Sequence, residues 1–114
     1  MVDLNRPIFL LLKDIAPVEL EFPSASTKMP LITLTEVSNT EDMSIEGKEV
    51  LSNITFQIDV WDNGNSRQRC EMLSCEVSKI MTANGFARVL GRGFKDPSGL
   101  NRKTMYFKIN VINL

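Results

Sequence analysis

Ile54-Thr55-Phe56-Gln57-Ile58-Asp59-Val60-Trp61 is the stretch on which the fold turns. Ile54, Phe56, Ile58 and Val60 fall on one side of an extended chain, and Thr55, Gln57 and Asp59 on the other. A period of two is that of a strand with one face on a core and the other facing something wetter. Trp61 follows at the end of the inward series, just before a break. Asp62-Asn63-Gly64-Asn65 supplies that break, because Asn and Gly accept the backbone of a sharp reversal. Ser66 is placed to cap a helix with its hydroxyl. Cys70, Leu73, Val77, Ile80 and Met81 then form one apolar stripe, and Asn84-Gly85 ends it.

Upstream of this unit, Asp3 or Asn5 is a cap for a first helix, with Pro7 in its first turn. Ile8, Leu11, Leu12 and Ile15 face inward. Phe9 and Leu10 are apolar as well, and surplus apolar surface marks a candidate contact with another subunit. Pro17 is expected to stop this helix. Val18–Phe22 alternates as a strand, Pro23–Pro30 reads as a loop, and Leu31–Ser38 reads as a second strand. Asn39–Gly47 has no period and holds Glu41, Asp42 and Glu46, so it is expected to be a long hairpin loop.

Downstream, a fourth strand begins at Phe86 and is expected to bulge at Gly91-Arg92-Gly93. Asp96-Pro97-Ser98-Gly99 is a turn. Met105, Phe107, Ile109 and Val111 alternate with Tyr106, Lys108 and Asn110 in a last strand. The order α-β-β-β-α-β-β implies an α+β fold: a mainly antiparallel sheet of about five strands with two helices on one face. The whole chain, residues 1–114, is expected to be a single domain.

Composition narrows the chemistry. The chain contains no histidine, so Ser–His and Cys–His nucleophile pairs, imidazole bases and His metal ligands are excluded. No spaced acidic pair stands out, and we expect no enzyme, no cofactor, no metal and no small-molecule substrate. The two cysteines, Cys70 and Cys75, share one helix at a spacing that forbids a bridge between them. We expect both to be reduced in a cytoplasm. The longest apolar run, Ile8–Leu12, is too short to span a bilayer, so no membrane partner is expected.

Charge is unevenly spread. Residues 1–65 hold 11 acids and 4 bases, a net −7, whereas residues 86–114 hold 1 acid and 6 bases, a net +5. Three readings are open: neutralisation within the fold, binding of a polyanion, and self-association of an acidic face with a basic face. The net charge of −1 and the scarcity of aromatics disfavour nucleic acid.

Taken together, several segments resemble the tail terminator (tail completion, head-tail joining) proteins of long-tailed bacteriophages. They are a short N-terminal helix, Pro30-Leu31-Ile32-Thr33-Leu34-Thr35-Glu36 running into Val37-Ser38-Asn39-Thr40, and Phe56-Gln57-Ile58-Asp59-Val60-Trp61. Met81–Arg88 and Asp96-Pro97-Ser98-Gly99-Leu100 before Arg102–Phe107 complete the pattern. The resemblance implies a structural protein of the virion's tail–head junction, assembled in the host cytoplasm. Its partners would be itself in a ring, commonly a hexamer, the tail tube protein and the head connector protein. On that reading Glu41, Asp42 and Glu46, with Arg88, Arg92, Lys95 and Arg102, are candidate ring and tube contacts, and Trp61 is a candidate anchor. A neck connector of similar fold is the nearest alternative. A small ligand-binding or nucleic-acid-binding module is a more distant one.

Overall fold

The alternating stretch forms the centre of a five-stranded sheet in the computed structural model, which describes residues 2–20 and 28–112 except the side chains of Asp42, Glu49 and Val50. The elements are α1 (Asn5–Leu12), β1 (Val18–Leu20), β2 (Leu31–Ile45), β3 (Lys48–Asp62), α2 (Gln68–Ala83), β4 (Ala87–Lys95) and β5 (Asn101–Ile112). Their order and α+β class are those expected from sequence. Across the sheet the strands run β1-β2-β3-β5-β4. β1 pairs with β2 in parallel, and the other three pairings are antiparallel.

Register explains which residues are buried. Ile32 and Leu34 lie opposite Val60 and Ile58, while Phe56 and Ile58 lie opposite Phe107 and Met105. These side chains share one face and form one buried cluster with Ile8 and Leu12 of α1 and Cys70, Val77 and Met81 of α2. Both helices therefore cover the same side of the sheet. Fully burying each Leu, Ile, Phe or Met contributes about 1.5–3 kcal/mol, so this face supplies most of the driving force. Ser74 joins the buried stripe of α2, its hydroxyl satisfied by donating to the Cys70 carbonyl at 2.7 Å.

The helix ends are built from the expected residue types, with local shifts. Leu4 holds the cap position of α1, and the neighbouring Asp3 carboxylate accepts the Asn5 amide at 2.9 Å. Arg67 holds that position in α2, where the Ser66 hydroxyl accepts the Gln68 amide at 3.0 Å. α1 stops at Leu12, short of Pro17. Its last turn tightens, with the Ile15 amide bonded to the Leu12 carbonyl, and Pro17 instead accepts the Ile32 amide as the chain enters the sheet.

The sheet differs from expectation at two places. Asn39–Gly47 is not a loop: β2 continues to Ile45 and turns through Glu46-Gly47 directly into β3. Glu46 and Gly47 have φ of 53° and 78°, the two positive values of a tight two-residue hairpin turn. This distal part lacks alternation because neither face meets the core, so no hydrophobic period is selected there. The second difference is that Gly91-Arg92-Gly93 lies in regular pairing, and the register shift falls between Arg88 and Leu90. The first strand and following loop expected over 18–30 include residues 21–27, which lie outside the described residues.

Candidate interaction surface

The β2–β3 hairpin carries the sheet well beyond its helical cover. The molecule measures 55 × 25 × 25 Å, with a radius of gyration of 15.2 Å, where a compact domain of this length has about 13 Å. Val37, Met43 and Ile45 on the distal part of β2 are more than half exposed, as is Ile112 at the end of β5. Glu41 and Glu46 are exposed on the same arm; Asp42 is in β2, and its side chain is outside the description.

Open backbone accompanies these side chains. β1 pairs only with Ile32, Thr33 and Leu34, so among the described residues no strand pairs with β2 beyond Leu34 on that side. β4 is the opposite edge strand. Arg88, Arg92 and Lys95 lie along it, all exposed, together with Val89 and Leu90. Three strand spacings of about 4.8 Å separate β2 from β4, so the acidic and basic edges do not neutralise each other within one molecule. Glu41, Glu46, Arg88, Arg92 and Lys95 form no ion pair among the described residues. Phe9 lines a hollow with Val18 and Leu20, and Leu10 is exposed on the same helix.

Two candidates sit elsewhere. Trp61 follows Val60 and so points to the face away from the helices, not inward. There it is buried, and its indole Nε1 donates to the Thr33 hydroxyl at 2.9 Å. Arg102, directly opposite in the register, stacks on it with its guanidinium carbon 4.3 Å from the ring centroid. Phe94 flanks the same guanidinium at 5.4 Å. Arg102 also donates to the carboxylates of Asp59 and Asp96, each at 3.1 Å. Burial disfavours the charged form of Arg102, but these two carboxylates outweigh it and hold its pKa above the ordinary arginine value. Trp61 and Arg102 thus form a second, polar-aromatic core on the open face. Beside it a hollow of about 280 Å³ is lined by Gln57, Leu90, Arg92, Phe94, Thr104 and Tyr106 with Arg102.

On the helix side, β4 is tied down by Arg67. Its guanidinium donates to the carbonyls of Phe94 and Arg102 and pairs with Glu71, which also binds Lys103 at 3.0 Å. The hydrogen bond from Lys103, then that from Arg67, holds the Glu71 carboxyl below its ordinary pKa. A side chain at Gly93 would place its Cβ 2.5 Å from the Arg67 Nη2 atom. Gly93 makes room for this brace, a role that its sequence does not reveal. Asp59, Phe94 and Arg67 were likewise absent from the sequence-based candidates. The register between β3 and β5 is what identifies Asp59 and Arg102 as near neighbours. At the start of α2, Arg69 pairs with the fully buried Asp62.

Among the described residues no cluster of three or more potential ligands suits a metal, and no helix is long and apolar enough to cross a membrane. No family model matches the chain, and no curated protein matches it. Among solved structures it is similar to the bacteriophage SPP1 gp17 protein, at 20% identity over 96% of this chain and 83% of that one, with a TM-score of 0.45. At that level of likeness neither fold nor role is inferred from it.

Proposed function

We propose that the chain is a structural protein of a bacteriophage tail, a terminator that assembles as a ring on the end of the tail tube. There it stops tube growth and presents a surface to the head connector, in the virion at the tail–head junction. The observation that carries this reading is the arm: a strand pair extended past its own core, with Met43 and Ile45 held in water. A chain folding for itself alone gains little from such an extension, whereas an assembly subunit covers it on contact with a neighbour. The resemblance over Pro30–Thr40, Phe56–Trp61, Met81–Arg88 and Asp96–Phe107 supplies the kind of assembly.

The mechanism is interface capping. One side of the ring matches the growing end of the tube, and the other refuses a further tube subunit. Glu41, Asp42 and Glu46 on the arm, Arg88, Arg92 and Lys95 on β4, and Phe9 and Leu10 on α1 are the contact residues in this account. Trp61 and Arg102 support that surface from behind. No bond is made or broken, so no catalytic group is required.

The test is to add purified protein to polymerising tubes of the cognate tail-tube protein and measure tube length and end density by electron microscopy. Short tubes with an extra ring at one end support the terminator role. Tubes that grow unhindered with bare ends overturn it, and binding to the head-side portal would then mark a neck connector.

A further inference from the structure

We propose that copies of this chain join edge to edge, the open edge of β2 in one copy adding as an antiparallel strand to β4 of the next. The proposal relies on the function above only for closure of the copies into a ring; the pairing itself rests on the sheet.

Among the described residues both edges have backbone that no further strand pairs. Between the register shifts at Glu36/Ser38 and Glu41/Met43, β2 runs regularly over Ser38–Glu41, and β4 runs regularly over Leu90–Lys95. Such a row of unpaired amides and carbonyls is a template for another strand. Direction is also fixed. β2, β3, β5 and β4 alternate in direction across the sheet, so a copy in the same orientation, set against the part of β2 beyond β1, brings its β4 beside β2 in antiparallel alignment.

Charge selects the occupant. Residues 35–45 of β2 include Glu36, Glu41 and Asp42 and no base, whereas residues 87–95 of β4 include Arg88, Arg92 and Lys95 and no acid. Charges placed on edges to prevent aggregation would repel best with one sign on both edges. Opposite signs do the reverse, and they disfavour β2 meeting β2 or β4 meeting β4. Exposed apolar side chains accompany each edge, Val37 on one and Val89 and Leu90 on the other. The contact joins two different patches of the same molecule, so it is heterologous and generates a ring or an open chain of copies.

Reversing one edge at a time tests this without tubes. Arg88→Glu with Arg92→Glu makes both edges acidic, and Glu36→Lys with Glu41→Lys makes both basic. All four residues are exposed, and a thermal unfolding curve checks that each variant keeps the fold. Mass is followed against concentration by sedimentation and native mass spectrometry. Each variant alone is expected to need on the order of 100-fold more protein to assemble than the unchanged chain. An equimolar mixture, or one chain carrying all four changes, is expected to assemble again. Either edge variant assembling alone like the unchanged chain overturns the pairing, as does an unchanged chain that stays monomeric at every concentration. Because tube capping is measured separately, a capping protein with unaffected variants would lose this contact and keep its function.

Discussion

β2 and β3 pass through two environments. Near Leu34 and Ile58 their inner side chains are buried under α1 and α2, and their outer ones abut the Trp61–Arg102 stack. Near Met43 and Lys48 the same two strands have water on both faces. Backbone pairing is continuous through both, apart from the register shifts. The contrast separates what holds the fold from what the fold holds out. Side-chain burial anchors the root, while the arm is secured mainly by its ladder and turn.

The strongest way to break this contrast is at the root. Phe56→Ala is expected to cost about 3–5 kcal/mol in denaturant unfolding, since it opens a cavity between the sheet and the helices. A loss below 1 kcal/mol would place the core elsewhere. Next comes the open face. Arg102→Met removes the charged partner of the buried Asp59 carboxylate, which is only 2% exposed and keeps the Gln57 amide as donor, and is expected to cost about 3 kcal/mol. Arg102→Lys should recover only part, because an ammonium lacks the planar fork that engages two carboxylates and stacks on Trp61.

A smaller effect is expected from acid. Glu71 is held below its ordinary pKa, so its contribution is fully present above the unfolded-state value. It is lost as pH falls through the depressed folded-state value. Stability measured against pH should therefore fall on the acid side of the glutamate range, and Glu71→Gln should reduce that dependence. At the tip, Met43→Ser and Ile45→Thr are expected to change stability by no more than about 0.5 kcal/mol while weakening assembly. Unfolding of the domain by either change would erase the distinction between arm and root.

The same contrast explains what the sequence made legible. Ile54–Val60 and Met105–Val111 showed their strands because burial on one face imposes a period of two. α2 showed itself through the stripe from Cys70 to Met81. The arm gave no such signal, since the exposed Glu41, Met43 and Ser44 meet no core that would select a period; Glu46-Gly47 as its turn follows from backbone conformation. Trp61 required register. One position past Val60, it belongs to the opposite face, and only its cross-strand neighbours Leu31 and Arg102, with the hydrogen bond to Thr33, give that face a core. The basic cluster was visible in composition, but its division into Arg102 inside and Arg88, Arg92 and Lys95 along an edge was not. Of the contact candidates, Glu41, Glu46, Arg88, Arg92 and Lys95 lie exposed along strand edges or in a turn, Leu10 is exposed on α1, and Trp61 and Arg102 stack on the open face.

Amide hydrogen exchange measured at low and high protein concentration decides whether copies pair along their open strands. Amides of β2 over 38–41 and of β4 over 90–95 are expected to slow as copies associate. Those of β3 and β5, already paired on both sides, should stay unchanged. Equal exchange at β2 and β4 at all concentrations, in protein that nonetheless associates, would contradict that pairing and place the contact on another surface.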